Sequence, residues 1–150
     1  MKTITLQNLD DTKALADQIA GLVRGKVLTI TLDGDLGAGK TTWTQFFGRA
    51  LGVKKTINSP TFTIMKPYKQ ADGMPLYHFD AYRLEGAHQD LGFEECFEEG
   101  LCVVEWADFI RDQLPADHLE MKIEGNGDQT RTVTLIATGP EAQKVLEGLE

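Results

Sequence analysis

Gly34-Asp35-Leu36-Gly37-Ala38-Gly39-Lys40-Thr41 decides the fold, because this stretch matches the phosphate-binding pattern G-x-x-x-x-G-K-[ST] at every defined position. Residues 27–32 come before it and are apolar and β-branched, which predicts a buried strand. Residues 42–51 follow it and carry apolar side chains at helical spacing: Phe46, Phe47, Ala50 and Leu51. A strand, a glycine-rich turn and a helix in this order favour phosphate binding, because backbone N–H groups and the helix N-terminus converge on the phosphate oxygens.

The same stretch predicts which residues hold a nucleotide. Lys40 is expected to reach the β- and γ-phosphates, and the Thr41 hydroxyl is expected to bind Mg²⁺. The neighbouring residues are expected to complete the nucleotide site: Asp35, Leu36, Gly37, Ala38, Gly39 and Thr42. The alternative is a glycine-rich turn with a chance lysine, and the flanking strand and helix argue against it.

Length and charge limit the function classes. The chain has 150 residues, enough for one domain spanning residues 1–150 with a substantial core. Its 41% hydrophobic and 25% charged residues are ordinary for a soluble globular protein. The net charge of −8 and the pI near 4.9 disfavour direct, independent binding of RNA or DNA, which usually needs a basic surface.

The cysteine count and the distribution of apolar residues indicate in which cellular compartment the protein is expected. Cys96 and Cys102 are too few for a zinc site or a disulfide framework, so we expect buried or partly buried free thiols in a reducing environment. Residues 1–6 do not resemble a signal peptide, and no apolar stretch reaches membrane-spanning length. We therefore expect a cytoplasmic protein without membrane contact.

The first half of the chain alternates strand and helix patterns. A strand is predicted at residues 3–6, followed by a helix that Asp10 or Asp11 caps and that ends near Val23. After the loop and its helix, the turn signal Asp72-Gly73 predicts a β-hairpin over residues 61–82.

The second half completes a three-layer α/β fold of the P-loop NTPase type. Residues 91–97 are expected to be helical in part, and residues 101–106 have the apolar pattern of a buried parallel strand. Strands at 119–123 and 132–137 predict a second hairpin, and a short helix is expected from about Glu141. Because hairpins occur beside a parallel core, the predicted sheet is mixed.

Two acids stand where catalytic carboxylates are expected. Asp80 closes the run 76–79, and Glu105 closes the run 101–104. Acids that end strands at the carboxyl edge of the sheet lie beside the phosphate site, where hydrolysis needs one group near Mg²⁺ and one that orients water. We favour this interpretation because a carboxylate that ends an apolar strand is costly to bury without a partner. The alternatives are a turn cap for Asp80 and a salt bridge to an arginine for Glu105.

Four further residues each allow two alternative roles. Thr61 has the place of a segment that senses the γ-phosphate, although an ordinary helix-to-strand turn also explains it. Trp106 either lies close to the nucleotide or anchors the core, and the same choice applies to Trp43. His78, inside a predicted strand, is expected to be packed or hydrogen-bonded rather than catalytic.

Four blocks of the sequence occur in the order and spacing of a known family. They are residues 34–42, 59–63, 78–84 and 104–106. The chain resembles the TsaE (YjeE) family, the small ATPases of bacterial tRNA threonylcarbamoyladenosine synthesis. The resemblance covers nearly the whole chain, and the C-terminal hairpin matches only loosely.

The resemblance implies an ATPase that uses ATP and Mg²⁺ and acts with two proteins, TsaB and TsaD. Together they help place a threonylcarbamoyl group on adenosine 37 of tRNA, which this chain would meet only through the complex. By resemblance, Thr41 and Glu105 are Mg²⁺ ligands, and Asp80 is essential to hydrolysis and close to the metal. It also implies nucleotide contacts from a set of residues spread along the chain: Leu9, Thr12, Thr61, Trp106 and Arg131.

Two other function classes stay open on the residues alone. A small-molecule kinase shares the loop, but it needs an acceptor site and usually an arginine-rich lid, and the arginines here are dispersed. A nucleotide-gated binding module with incidental hydrolysis is the other, and the two strand-end acids argue mildly against it. The sequence has no N-K-x-D motif, which favours ATP over GTP. It also offers no convincing arginine finger in cis, with Arg83 as a candidate, so we expect hydrolysis to be slow alone and faster with partners.

Overall fold

The computed structural model describes residues 1–34, 39–58, 65–81, 93–128 and 130–149. Within them the strands are β1 (Lys2–Leu6), β2 (Leu28–Asp33), β3 (Met65–Lys69), β4 (Pro75–Asp80), β5 (Leu101–Glu105), β6 (His118–Gly125) and β7 (Arg131–Ala137). The α-helices are α1 (Leu9–Val23), α2 (Lys40–Ala50), α3 (Phe93–Glu99) and α4 (Pro140–Gly148), and a 3₁₀ helix spans Ala107–Gln113.

The described strands form one mixed sheet in the order β1-β7-β6-β2-β5-β4-β3. The central strands β6, β2, β5 and β4 are parallel, and antiparallel pairs extend the sheet on both sides. Because β7 is antiparallel to both β6 and β1, the carboxyl ends of β1, β6, β2, β5 and β4 lie at one edge. The chain leaves β2 at this edge to enter the phosphate loop, so the predicted mixed sheet is confirmed.

Helices cover both faces of the sheet. On one face, α1, α2 and α4 bury their apolar sides with Ile30, Leu32 and Val103 of the central strands. On the other face, α3 and the 3₁₀ helix pack on Phe79 and Val104. Successive residues of β5 therefore serve two different cores, which explains why this strand reads as a continuous apolar run. The three-layer prediction is confirmed.

The start of α1 differs from the prediction. Asn8, not Asp10 or Asp11, is the N-cap, and its side chain accepts a hydrogen bond from the Asp11 N–H at 3.0 Å. Asp11 in turn accepts from the Gln7 N–H at 2.8 Å. The bond to Asn8 satisfies one N–H group that the helix leaves unpaired, and the bond from Gln7 ties the residue before the N-cap to the first turn.

The predicted hairpins and thiols are present in the described residues. β3 pairs antiparallel with β4 around Gly73, whose φ of 89° suits glycine, and residues 61–64 and 82 lie outside the description. β6 and β7 form the second hairpin. Cys96 and Cys102 are free thiols, and burial raises the pKa of each.

Candidate functional site

The lysine of the phosphate loop is buried at the first turn of α2. Gly39 has a φ of 105°, a left-handed conformation that glycine adopts without strain, and it turns the chain from the loop into the helix. The Trp43 N–H donates to the Gly39 carbonyl at 2.9 Å, which closes the first turn. Lys40 follows with only 6% of its surface exposed. A lysine so placed needs a charged partner, since burial penalises an unpaired cation.

Glu105 is that partner. The strand-end acid is 5% exposed, and its Oε1 lies 3.8 Å from the Lys40 Nζ. Its other oxygen, Oε2, lies 2.6 Å from the His78 Nε2. The sequence analysis allowed an arginine salt bridge for Glu105, and the structure places a lysine and a histidine there instead. The expectation that His78 is hydrogen-bonded is confirmed.

Trp106 lies beside Lys40 and also packs against the second core. Its ring is half-buried, and the Lys40 Nζ is 4.6 Å from the ring centroid, within cation–π range. Its φ of 57° is left-handed, a conformation that costs a non-glycine residue about 1–3 kcal/mol and that clusters at functional sites. Trp43 takes the other alternative, since it is fully buried and stacks on Phe47 with centroids 4.8 Å apart.

Asp80 and Thr41 lie at the same edge of the sheet as Glu105. Asp80 is the register partner of Glu105 in the parallel β4–β5 pair, and the Ala81 N–H donates to the Glu105 carbonyl at 3.0 Å. Thr41 follows Lys40 at the N-terminus of α2, so both predicted oxygen donors lie at the carboxyl edge of the sheet with Glu105. Two carboxylates and one hydroxyl suit Mg²⁺, which binds few protein oxygens and keeps several waters. Within the described residues, no three His, Cys, Asp or Glu side chains form a metal-binding group.

Leu9, Thr12 and Arg131 lie further along the same edge. Leu9 begins α1 after β1 and is 65% exposed, whereas Thr12 is buried. Arg131 opens β7, pairs in register with Leu6 and Gly125, and donates to the carbonyls of Asp128 and Thr130. With strands about 4.8 Å apart, the end of β1 is roughly 14 Å from the end of β2. The structure therefore places these residues at the same edge of the sheet as Lys40.

The sequence analysis missed Asp33, the last residue of β2. It ends an apolar strand just before the loop, so the reasoning applied to Asp80 and Glu105 also identifies it. Burial, followed by the negative charge of Asp108, raises the pKa of the Asp33 carboxyl.

The sequence analysis also missed an aromatic cleft beside Lys40. Phe109 stacks on Trp106 with ring centroids 6.0 Å apart and planes at 5°. With Asp33, Lys40 and Lys122, these rings line a cleft of about 400 Å³. The 3₁₀ helix that carries Phe109 was not predicted, because its short turn has no clear periodicity.

Several predicted residues lie outside the described parts of the chain: Asp35, Leu36, Gly37, Ala38, Thr61 and Arg83. Thr42 and Gly39 are described and lie at the start of α2. No helix within the described residues is long and apolar enough to cross a bilayer.

The chain is similar to proteins of known family. A family model described as Threonylcarbamoyl adenosine biosynthesis protein TsaE matches residues 6–133. The tRNA threonylcarbamoyladenosine biosynthesis protein TsaE of Bacillus subtilis is 47% identical over 145 residues, covering 95% of this chain and 89% of that protein. The corresponding Streptomyces coelicolor protein is 37% identical over 135 residues, with coverage of 85% and 90%.

A solved structure has the same fold. The crystal structure of Bacillus subtilis YdiB matches with a TM-score of 0.80 and 38% identity, covering 97% of this chain and 91% of that chain. The predicted P-loop NTPase fold is thereby confirmed.

Proposed function

The chain belongs to the TsaE family of threonylcarbamoyladenosine biosynthesis proteins, and we propose that it is the Mg²⁺-dependent ATPase of the machinery that modifies adenosine 37 of tRNA. It acts in the cytoplasm with TsaB and TsaD, and it meets tRNA through that complex. The relatives' names support the pathway, and the geometry of the site supports the chemistry.

The observation that carries the proposal is the buried contact between Lys40 and Glu105. A cation for the phosphates and a carboxylate for the metal meet 3.8 Å apart at the carboxyl edge of the sheet. ATP hydrolysis by this kind of site needs both groups at one place.

Each residue of this edge takes one task in the proposed reaction. Lys40 binds the β- and γ-phosphate oxygens, Trp106 flanks the Lys40 side chain, and Thr41 and Glu105 hold Mg²⁺ with Asp80 beside them. Mg²⁺ supplies charge neutralisation on the phosphates when it is bound. Water attacks the γ-phosphorus and the bond from that phosphorus to the β–γ bridging oxygen breaks. One proton of the water stays on the inorganic phosphate, the other passes to solvent, and ADP and inorganic phosphate leave.

The positions of the arginines support slow hydrolysis by the protein alone. The four described arginines contact other groups: Arg24 the Ala50 carbonyl, Arg49 the Phe46 ring, Arg111 the carboxylates of Asp108 and Glu120, and Arg131 two turn carbonyls. These contacts place none of the four described arginines at the γ-phosphate, and Arg83 lies outside the described residues. An arginine at that position is worth about 10³–10⁵ in rate, because it stabilises the developing charge. A partner protein would then complete the site.

The test measures phosphate release and tRNA modification over many turnovers, with and without the TsaB–TsaD pair. We expect slow release alone, faster release with the pair, and multi-turnover modification that depends on this protein. Asp80→Asn and Glu105→Gln should each lower hydrolysis by about 10²-fold or more. Glu99→Gln, which changes an acid of α3 on the other face of the sheet, is the matched control and should hydrolyse normally.

Two results would contradict the proposal. Equal modification yields without this protein, or wild-type hydrolysis by both acid variants, would remove the assigned role. Phosphate release that requires an added small-molecule acceptor would favour the kinase alternative.

A further inference from the structure

His78 is a fully buried polar residue beside the site. It lies in β4, two residues before Asp80, so the two side chains point to the same face of the sheet. Its register partner in β5 is Val103, two residues before Glu105. His78 and Glu105 are therefore diagonal neighbours on the face that α2 covers, and this explains how side chains 27 positions apart in the chain come into contact.

The hydrogen bond to Glu105 favours one tautomer of the His78 ring. An ionised carboxylate only accepts hydrogen bonds, so the His78 Nε2 must carry the proton that lies between it and the Glu105 Oε2, 2.6 Å away. The other nitrogen, Nδ1, is buried with no hydrogen-bond partner among the described residues. An unprotonated Nδ1 is the better fit, because a buried N–H without an acceptor is costly.

Among the described residues, the Glu105 carboxylate thus has two partners of different kinds. Lys40 contacts Oε1 at the longer distance of 3.8 Å, and in the proposed function its ammonium group moves to the phosphates. His78 contacts Oε2 from inside a strand that is paired on both sides, by β3 and by β5. Lys40 is free to exchange its partner, whereas His78 is held in place.

We propose that His78 is a positioning residue, which keeps the Glu105 carboxylate oriented when Lys40 leaves it for the nucleotide. The inference rests on the proposed function, since it concerns Glu105 as a ligand of Mg²⁺. A carboxylate held through one oxygen presents the other in a fixed direction, and loss of such a supporting hydrogen bond typically lowers metal affinity or activity by about 10- to 100-fold.

The first test is the ring tautomer, which needs no activity. Long-range ¹H–¹⁵N NMR correlations of the wild-type protein should show the His78 proton on Nε2 and a bare Nδ1. Glu105→Gln should shift the Nε2–H signal to lower frequency, because a neutral amide is a weaker acceptor than a carboxylate. A proton on Nδ1 with a bare Nε2 would overturn the inference.

The second test is the Mg²⁺ dependence of ATP binding, measured by calorimetry with Mg²⁺ or with EDTA. His78→Met removes the donor, and His78→Asn is too short to place one at the Nε2 position. Both should reduce the gain in affinity from Mg²⁺ by about tenfold or more, with little change in EDTA. His78→Gln, whose amide nitrogen can replace Nε2, should restore most of the gain. Tyr77→Phe changes the adjacent residue of the strand and is the control.

The outcomes separate the two proposals. Full Mg²⁺ dependence in both His78→Asn and a folded His78→Met overturns the positioning role and leaves the proposed function intact. Equal losses in His78→Gln and His78→Asn also overturn it, because a merely structural role predicts no rescue. A wild-type protein that binds ATP equally with Mg²⁺ and with EDTA contradicts the proposed function itself, and the positioning role with it.

Discussion

The Lys40–Glu105 pair should stabilise the nucleotide-free protein measurably, although both residues are assigned to nucleotide chemistry. At 3.8 Å and an effective dielectric constant of 20, the Coulomb attraction is about 4 kcal/mol, and desolvation of two buried groups offsets part of it. Glu105 keeps the bond to His78 when Lys40 is lost, which lowers the cost further. We expect Lys40→Met to destabilise the protein by about 1–3 kcal/mol, and to lower Tm by roughly 2–4 °C per kcal/mol.

The assay is a double-mutant cycle with Lys40→Met and Glu105→Gln, followed by urea unfolding and far-UV circular dichroism without nucleotide. Methionine keeps an unbranched apolar side chain against Trp106 while it removes the charge. We expect a coupling energy of about 1–3 kcal/mol that changes little with salt, because the pair is buried.

The exposed pair Lys13–Asp17 is the control for this cycle. It is shorter, at 2.8 Å, but its side chains are 58% and 45% exposed, so its coupling should be only about 0.3–0.5 kcal/mol. If the variants at Lys40 and Glu105 are additive within error, the contact carries no stability and the reasoning is refuted.

Three further predictions concern side-chain packing, the fluorescence of Trp106 and the pH dependence of stability. Trp43→Phe should lower the free energy of unfolding by less than about 2 kcal/mol, because the buried indole N–H has no partner among the described residues. In that variant, the fluorescence of Trp106 should change when ATP or ADP binds. Gly100→Ala should destabilise by about 1–3 kcal/mol in urea unfolding, since its Cβ would lie 2.4 Å from the Pro75 carbonyl oxygen. Asp33→Asn should raise Tm near pH 7, because the raised pKa means that the charged carboxyl costs stability; the advantage should shrink as the pH falls through the raised pKa toward 3.8.

Each of these predictions has a contrary result. A flat Trp106 signal despite proven binding would separate that ring from the nucleotide. Gly21→Ala is the control for Gly100→Ala, because a Cβ at Gly21 meets nothing within 4 Å. It should raise the free energy of unfolding by about 0.5–1 kcal/mol, since alanine favours a helix over glycine. Equal effects of the two substitutions would contradict the steric argument. A stability difference between Asp33→Asn and wild type that grows as the pH falls would reverse the assigned sign.

Local chemistry made much of this fold predictable. The phosphate loop, the buried strand β5 and both hairpins depend on signals within a few residues, such as Asp72-Gly73 before β4. The start of α1 was less predictable, because Asn8, Asp10 and Asp11 can each cap a helix. Only the backbone shows that Asn8 is extended, with a φ of −158°, and that Asp11 already lies inside the first turn.

The partners of Glu105 were beyond sequence reasoning for a different reason. Spacing places Glu105 at the end of a strand, but the identity of its neighbours depends on the sheet order. β5 lies between β2, which leads to Lys40, and β4, which carries His78. Strand order depends on packing across the whole sheet, so a lysine 65 positions away and a histidine 27 positions away become neighbours without a local signal.

The shared carboxylate also couples the two ligands of the proposed reaction. If ATP takes Lys40, Glu105 loses its lysine partner and keeps the hydrogen bond from His78, so its buried charge is poorly compensated. If Mg²⁺ takes Glu105, Lys40 in turn loses its counter-charge. Either ligand alone therefore leaves one buried charge unpaired, whereas both together satisfy both. Because coupling between two ligands is reciprocal, Mg²⁺ should tighten ATP binding by the same factor as ATP tightens Mg²⁺ binding. On this argument the Lys40–Glu105 pair does more than stabilise the nucleotide-free state: it favours entry of the nucleotide and its metal together.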